Sequence, residues 1–360
     1  MMNSRITGPT PLPQSVREAV NQQMSSHRSQ EFKTIFENSC INMQALMNTS
    51  SMPMFFTSSG TGGLEAAIVN TLGKTSKVLA LSAGYYGDLF AAIAKKHLAD
   101  GVQLEQFSPG TRIEPLLVKK ILQMKQFDAV LLTHTESSTG VINPLAELTG
   151  IIREHSDALI LVDAVSSLGT TEFRMDDWGV DVVITVPQKG LMAPPGLAIL
   201  CASDRAIKKA RGSDIIGSYY FDFNRMLEAN IQKQTPFTPA ITSIWGIHAA
   251  LALMQEEGFD NIHKRHASLS AQCQAGVLAA GFELFAMEGA RSPGITAVKI
   301  PQSQSAQKIQ EKLEQDYGLL VAVGAGWWKD QVIRIGHMGF VSEQNIQAVN
   351  QALMHLNTRL

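Results

Sequence analysis

The chain has 360 residues, of which 45% are hydrophobic and 17% charged, so it can bury a large core and exceeds the usual size of a single domain. Its formal net charge of -2 argues against nucleic acid or an anionic membrane as the main partner. The three cysteines, Cys40, Cys201 and Cys273, lie far apart and form no C-x-x-C pair, which favours a reducing, cytoplasmic compartment.

The first residues are polar and Pro-rich, without the apolar core of a signal peptide, and residues 1–20 are predicted to be an N-terminal arm. Strand and helix patterns then alternate along the chain. Predicted strands cover 54–56, 77–81, 102–107, 129–133, 159–163 and 182–186, and predicted helices cover 32–47, 63–72, 88–97, 115–124 and 145–155. This alternation predicts an α/β fold with a mostly parallel central sheet and helices on both faces.

The pattern changes beyond residue 201. Residues 204–211, 242–256 and 261–280 are predicted to be helices, and 212–239 to be irregular. A separate α+β unit follows, with strands at 282–285, 295–300, 319–323 and 332–335 and helices at 305–315 and at the C-terminus. We therefore predict a large domain over 21–257 and a small C-terminal domain over 258–360. The uncharged stretch 235–254 contains two prolines and is interpreted as a buried helix with its lead-in, not as a membrane span.

Two apolar, β-branched runs lead into chemically useful side chains, Asp163 and Lys189. Because buried parallel strands present their carboxyl ends at one edge of a sheet, both side chains are expected in one crevice. A lysine condenses with an aldehyde only when its amine is neutral, and apolar neighbours lower its pKa in that direction. An aspartate can keep a pyridine nitrogen protonated. The pair predicts an imine-forming cofactor, although a turn-capping Asp and a surface Lys would leave the same pattern.

Ser59, Gly60 and Thr61 lie between the first of these strands and a helix. Small residues, hydroxyl groups and the free N–H groups of a helix N-terminus suit a phosphate, and a plain tight turn is the alternative. A Walker loop does not fit, because Ile68 stands where its first glycine is required, and no acidic residue follows the next strand as a dinucleotide site needs. Tyr86 also follows a strand, where its ring can stack on a planar cofactor or pack among loops.

A dense polar cluster at 133–140 ends another strand. Its His134 has no companion at a metal-ligand spacing, and His263 and His266 are expected on a solvated helix face, so no metal site is predicted. Arg334 lies within an apolar strand and needs a partner. That partner is either a substrate carboxylate held by two hydrogen bonds or a structural ion pair.

A phosphate cup, an aromatic ring, a polar cluster, an acid and a lysine thus follow successive strands, which suits a phosphorylated aromatic aldehyde. The motifs resemble the class V aminotransferases, specifically the alanine–glyoxylate and serine–pyruvate aminotransferase branch. They are, in order, SGTGGLEAA (59–67), THTESSTG (133–140), LVDAVSSLG (161–169), VPQKGLMAPPG (186–196) and IRIGHMG (333–339). The resemblance extends from Gly8 to the last helix. It implies a fold-type I pyridoxal 5'-phosphate enzyme, a homodimer with active sites at the subunit interface.

The resemblance also implies a role for each matching position. Lys189 would bond to the cofactor aldehyde and Asp163 would face the pyridine nitrogen. The remaining roles would be Val165 and Tyr86 on the two ring faces, Ser137 at the ring hydroxyl, Ser59, Gly60, Thr61 and Gln188 at the phosphate, Thr238 at the partner subunit's phosphate, and Arg334 and Gly8 at the substrate. Several relatives carry Trp at Tyr86, His at Thr61 and Tyr at Thr235.

The implied reaction is ping-pong transamination between a small amino acid (alanine or serine) and a 2-oxo acid (glyoxylate or pyruvate). Three alternatives remain open. A cysteine desulfurase-like lyase of the same fold needs a mobile nucleophilic cysteine, and a NAD-dependent oxidoreductase needs the missing acidic ribose ligand. A non-catalytic cofactor-binding regulator is the third alternative. Neither a nucleic-acid nor a membrane partner is expected.

Overall fold

The computed structural model describes residues 2–357, so residue 1 of the predicted arm and residues 358–360 of the predicted C-terminal domain lie outside the described part. The described residues form fourteen strands and twelve α-helices. The strands are β1 (Asn3–Arg5), β2 (Met54–Thr57), β3 (Val78–Ser82), β4 (Val102–Gln106), β5 (Ala129–Thr133), β6 (Thr135–Glu136), β7 (Val141–Ile142), β8 (Leu159–Asp163), β9 (Val182–Thr185), β10 (Leu197–Ala202), β11 (Glu283–Leu284), β12 (Ile295–Lys299), β13 (Leu319–Val323) and β14 (Val332–Gly336). The helices are α1 (Gln14–Val20), α2 (Gln30–Met47), α3 (Gly60–Thr71), α4 (Tyr85–Leu98), α5 (Pro115–Met124), α6 (Leu145–His155), α7 (Asp204–Ala210), α8 (Phe223–Ile231), α9 (Ile241–Glu257), α10 (Phe259–Ala279), α11 (Ala306–Tyr317) and α12 (Glu343–Asn357).

The central sheet has seven strands in the order β2-β10-β9-β8-β5-β3-β4. All neighbours are parallel except β10, which runs antiparallel to both β9 and β2. Asp163 at the end of β8 pairs with Thr133 of β5 on one side and Ile184 of β9 on the other, so three strands end side by side. The predicted α/β fold with a mostly parallel sheet is confirmed.

Each face of this sheet carries its own apolar core. Along β8, Ile160 and Val162 belong to one core, whereas Leu159 and Leu161 belong to the other. Alternate side chains of a strand point to opposite faces, so an unbroken apolar run is what a strand covered on both sides requires. The sheet is therefore held between two helical layers, and polar side chains are left for the strand ends.

A second sheet has five strands in the order β1-β13-β14-β12-β11, with its own core against α10, α11 and α12. Its strands β12, β13 and β14 agree with the predicted α+β pattern of the C-terminal region. The sequence does not predict β1, which comes from the arm and pairs in parallel with β13. The division of the chain into domains at residues 20/21 and 257/258 stays a prediction.

Several elements differ from the sequence predictions. Residues 212–239, predicted to be irregular, contain α8, which begins where the Asp222 side chain accepts a hydrogen bond from the backbone N–H of Arg225 at 3.1 Å. Its buried face consists of Phe223, Met226 and Asn230, a helical spacing that is too short to stand out in the sequence. The short helix α1, the antiparallel strand β10 and the β6–β7 hairpin also have no counterpart among the predicted elements.

The prediction that His266 lies on a solvated helix face is wrong. His266 is fully buried, and its Nε2 accepts a hydrogen bond from the backbone N–H of Gly339 at 3.0 Å while Nδ1 lies 2.8 Å from the Ile262 carbonyl oxygen. Burial lowers the pKa of His266 to about 3, so the ring is neutral. The helical spacing from Ile262 to His266 puts both on the packed face, whatever the charge of the residues between them.

Within residues 2–357, no helix combines the length and the apolar character needed to cross a membrane.

Candidate active site

A cavity of about 200 Å³ opens at the carboxyl ends of the central strands. Nine of the predicted site residues line it: Ser59, Gly60, Thr61, Tyr86, Ser137, Asp163, Val165, Gln188 and Lys189. Leu64, Leu89, Thr135, Ser166 and Val186 complete the lining. The strand ends of an open α/β sheet are where such folds bind their ligands, and the cavity combines apolar walls with several convergent polar groups.

Asp163 and Lys189 face this cavity from neighbouring strands. Asp163 is the last residue of β8, and its Oδ1 accepts a hydrogen bond from the backbone N–H of Val165 at 2.9 Å. Within the described part of the chain, its Oδ2 has no hydrogen-bond partner. Lys189 follows β9, and its Nζ donates a hydrogen bond to the Thr7 carbonyl oxygen of the arm. The lysine amine is therefore held beside the cavity by the arm.

Burial shifts both groups toward neutrality. It raises the pKa of Asp163 to about 7, an effect that the charge of Glu136 reinforces and that the Val165 hydrogen bond and Lys189 oppose. Burial also lowers the pKa of Lys189 to about 8, assisted by the positive charge of Arg334 and opposed by Asp163. Lys189 is thus close to the neutral form that condensation with an aldehyde requires.

The N-terminus of α3 forms one end of the cavity. Ser59 caps this helix, and its Oγ lies 3.5 Å from the backbone nitrogen of Gly62. At Gly60, a Cβ atom would lie 3.1 Å from Val186 and 3.3 Å from Val165, so a residue without a side chain lets the helix approach closely. The free N–H groups and the dipole of a helix N-terminus attract anions.

Two buried polar atoms beside the cavity have no partner within the described structure, Gln188 Oε1 and Thr135 Oγ1. Thr135 is absent from the predicted site. Its spacing of two from Ser137, on a segment that leaves a buried strand, is the sequence signal that both side chains point the same way. A buried polar atom without a partner is uncommon in proteins and points to a missing ligand or water.

Three predicted residues do not line the cavity. Arg334 of β14 is 8% exposed, and it donates from Nε to the Val323 carbonyl oxygen at 2.9 Å and from Nη1 to the Ser137 carbonyl oxygen at 3.2 Å. Gly8 lies against Lys189, because a Cβ atom on Gly8 would come within 2.8 Å of Nζ. Thr238 lines a separate narrow recess, and its predicted contact with a second subunit stays a prediction.

The other reactive side chains are buried away from this site. Cys40, Cys201 and Cys273 are buried free thiols, and burial raises the pKa of Cys40 and Cys273 to about 12. His134 packs against Phe173 and Trp178, with ring centroids 5.9 and 6.1 Å away. In residues 2–357, no group of three or more His, Cys, Asp or Glu side chains could hold a metal ion.

Residues 7–349 match the protein family described as aminotransferase class-V. The chain belongs to the class V aminotransferases. Serine–glyoxylate aminotransferase from Methylorubrum extorquens is 33% identical over 95% of this chain and 87% of that protein. A protein described as the small subunit of a soluble hydrogenase, from Synechococcus sp., is 35% identical over 97% of this chain and 91% of that protein.

The fold agrees with this family. The crystal structure of alanine–glyoxylate aminotransferase from Nostoc sp. superimposes with a TM-score of 0.93 at 27% sequence identity, over 99% of this chain and 95% of that one. This class V aminotransferase therefore has the fold-type I architecture, and the predicted family, fold and enzyme class are confirmed.

Proposed function

We propose that this class V aminotransferase uses pyridoxal 5'-phosphate to transfer the amino group of a small amino acid, alanine or serine, to glyoxylate or pyruvate in two half-reactions. The observation that carries the proposal is the position of Lys189 and Asp163 on adjacent strand ends around one cavity. The lowered pKa of Lys189 and the raised pKa of Asp163 support this assignment.

The residues around the cavity fit this cofactor. Asp163 Oδ2 is an acceptor without a partner in the described residues and suits a protonated ring nitrogen, while Gln188 Oε1 is buried and equally unpartnered. The N-terminus of α3, with Ser59 and Thr61, offers donors to a phosphate. Val165 and Tyr86 line the cavity as the predicted packing surfaces for the two faces of an aromatic ring.

When bound there, pyridoxal 5'-phosphate supplies an aldehyde that bonds to amines and a ring that accepts electrons. The protein residues do the rest. Lys189 Nζ would hold the cofactor through its aldehyde carbon and, once the substrate amine has replaced it, would take the proton from the substrate Cα atom. Asp163 Oδ2 would hold a proton on the ring nitrogen, and burial would strengthen this contact. Ser137 would lie at the ring hydroxyl, and Thr135, which also lines the cavity, would offer a further hydroxyl group.

Arg334 is the proposed carboxylate-binding residue, and Gly8, which lies against Lys189, is the second proposed substrate contact. Two carbonyl oxygens hold the guanidinium, and its positive charge contributes to the lowered pKa of Lys189. A fixed guanidinium binds a carboxylate through two hydrogen bonds. The substrates named for the relatives, serine or alanine with glyoxylate, support a small donor and a 2-oxo acid acceptor here.

A homodimer with shared sites completes the proposal. The recess around Thr238 is lined by Tyr220 and Phe237, and Tyr219, whose ring packs against Phe237, is 72% exposed. An exposed cluster of large apolar residues is characteristic of a protein interface. A second copy seated on this surface would bring Thr238 to its phosphate. The buried, unpaired cysteines further support a cytoplasmic location.

The lysine assignment is tested by borohydride reduction followed by peptide mass analysis. We expect the cofactor mass on the peptide that contains Lys189, and Lys189→Ala should bind cofactor without covalent attachment while transamination falls by several orders of magnitude. Lys208→Ala, an exposed lysine on α7, is the matched control and should keep full activity. Cofactor mass on another lysine, or near-normal turnover in Lys189→Ala, would refute the proposal.

The substrate assignment is tested by adding single amino acids to the cofactor-loaded protein and following the visible absorption of the cofactor. Alanine or serine should convert it to the amino form, and glyoxylate or pyruvate should restore it. A cysteine desulfurase-like lyase would instead convert cysteine to alanine without a 2-oxo acid and, with an added thiol as reductant, release the sulfur as sulfide. That reaction has little support, because each of the three cysteines is buried.

A further inference from the structure

The first turn of α4 is tied to the β6–β7 hairpin by an arrangement that the sequence does not predict. The backbone N–H groups of Tyr86 and Gly87 both donate to Glu136 Oε2, each at 3.0 Å, and the N–H of Tyr85 donates to Ser138 Oγ at 3.1 Å. The first N–H groups of a helix have no partner within the helix. At α4, two side chains from the hairpin satisfy them.

Glu136 uses both of its oxygens in this contact. Its Oε1 accepts hydrogen bonds from the backbone N–H of Ser138 at 3.0 Å and from Ser138 Oγ at 2.5 Å. Four donors therefore converge on one carboxylate that is completely buried. Because a carboxylate accepts on both oxygens and an amide only on one, this set of contacts requires Glu and excludes Gln.

Successive side chains of the segment Thr135 to Ser138 point in opposite directions. Thr135 and Ser137 line the cavity, whereas Glu136 and Ser138 face α4. Gly84 makes the close approach feasible, since a Cβ atom there would lie 2.6 Å from Ser138 Oγ and 2.7 Å from Glu136 Cγ. The first turn of α4, which these contacts hold, also places Tyr86 in the cavity wall.

We propose that Glu136 is a positioning residue, which holds the ring of Tyr86 against the face of the bound cofactor through the first turn of α4. This inference rests on the proposed function. Glu136 does not line the cavity, so it acts through the backbone of Tyr86 and Gly87 and not by touching the cofactor. A fixed aromatic ring reduces the conformational entropy that binding would otherwise lose.

The charge of Glu136 acts in the opposite direction. Burial raises the pKa of Glu136, and the hydrogen bonds from Ser138, Gly87 and Tyr86 counteract that rise. The Glu136 charge also raises the pKa of Asp163. Removing this charge would favour ionised Asp163 and so strengthen its contact with a protonated ring nitrogen. A purely electrostatic role therefore predicts tighter cofactor binding in Glu136→Gln, whereas a positioning role predicts weaker binding.

The test measures the dissociation constant of pyridoxal 5'-phosphate for four proteins: wild type, Glu136→Gln, Tyr86→Ala and the double variant. We expect Glu136→Gln to weaken binding about tenfold, because at least one pair of buried donors loses its acceptor. The double variant should bind about as weakly as Tyr86→Ala alone, since Glu136 acts through that ring. Glu147→Gln, an exposed glutamate on α6, is the control and should leave binding unchanged.

Unchanged or tighter binding in Glu136→Gln, or losses that multiply in the double variant, would overturn the inference. If circular dichroism shows that Glu136→Gln does not fold, the same set of four proteins is made with Ser138→Ala, which removes the acceptor of the Tyr85 N–H. Losses of affinity that multiply in the double variant of Ser138→Ala and Tyr86→Ala would again overturn the inference. Wild-type protein that fails to bind the cofactor at Lys189 overturns the proposed function itself. Failure of the cycle with normal wild-type binding overturns only the role of Glu136.

Discussion

Asp163 shows how a single residue of the site works against the stability of the protein that carries it. The residue is 4% exposed, and its carboxylate accepts one hydrogen bond, from the Val165 N–H. Burying a charge with so few partners costs free energy, and the raised pKa of about 7 expresses that cost. A protonated ring nitrogen in the cavity would provide the missing partner. The residue is therefore unfavourable in the free protein and favourable in the proposed complex.

Asp163→Asn should stabilise the cofactor-free protein by about 1–3 kcal/mol at pH 7.5 and weaken cofactor binding at least tenfold. Asn keeps the Val165 hydrogen bond and has no charge. The pKa of Asp163 is raised from 3.8 to about 7, so wild type loses stability as pH rises from about 4 to about 7, while the variant does not.

Thermal unfolding of both cofactor-free proteins at pH 5.0 and 7.5 measures this effect. The stability difference between variant and wild type should be larger at pH 7.5. A difference that is equal at both pH values, or larger at pH 5.0, would contradict the assigned pKa shift.

At the scale of the elements, α3 shows how close packing brings a helix N-terminus to the cavity. A Cβ atom at Gly63 would lie 2.8 Å from Ile184 Cγ2 of β9 and 3.0 Å from the Cβ of Ala198 on β10. Only a residue without a side chain lets the helix rest on the sheet at this distance. The helix is therefore set at the height at which Gly60 and Thr61 reach the cavity wall.

Gly63→Ala should destabilise the protein by about 1–3 kcal/mol, because the added methyl group has no room between helix and sheet. Gly150→Ala is the matched change, since a Cβ atom at Gly150 within the exposed face of α6 meets nothing within 4 Å. It should stabilise by about 0.5–1 kcal/mol through helix propensity alone. Urea unfolding of both variants measures the two changes in stability. A Gly63→Ala variant that is as stable as wild type, or more stable, would show that α3 does not pack this closely on the sheet.

Sequence periodicity predicts the buried strands of this fold well, because a strand covered on both faces must be continuously apolar. Polar residues that follow such runs, among them Asp163 and Ser59, therefore stand out as site candidates. The pattern does not predict which residues from different strand ends come into contact. In the sequence, Glu136 is one of several polar residues in a cluster. The structure shows that Gly84, which follows β3, packs against Glu136 and that Glu136 accepts a hydrogen bond from the Tyr86 N–H. Short elements such as α8 offer too few residues for their period to be recognised.

At the scale of the whole molecule, the arm links the five-stranded sheet to the loop after β9 that carries Lys189. β1 pairs with β13 of that sheet. Thr10 then donates two hydrogen bonds to the loop, from its N–H to the Gln188 carbonyl oxygen and from its Oγ1 to the Lys189 carbonyl oxygen, both at 3.0 Å. Between these contacts, Thr7 accepts the hydrogen bond from Lys189 Nζ. Long-range contacts thus fix the arm over the proposed attachment point of the cofactor.

Gly8→Ala should slow covalent attachment of the cofactor to Lys189 by about tenfold or more, because the new methyl group would lie 2.6–2.8 Å from three atoms of the lysine side chain. Gly8 has φ +108, so Ala also strains the backbone by roughly 1–2 kcal/mol. Gly217→Ala separates the two effects, since Gly217 has φ +77 and open space around its Cβ position.

A time course of borohydride trapping compares the variants. Gly217→Ala should lose stability and keep the wild-type rate of attachment, whereas Gly8→Ala should lose both. Equal attachment rates in the two variants would mean that the arm does not restrict the lysine.

The pairing of β1 with β13 also sets an order of events during protein synthesis. The ribosome makes β1 before all strands of the central sheet and long before its partner strand, Leu319–Val323. Domains that emerge early fold early, so the central sheet can assemble while β1 still lacks its neighbour. We therefore expect the arm to close over Lys189 only after β13 has been made, so that the lysine of the nascent chain stays accessible to the cofactor until then.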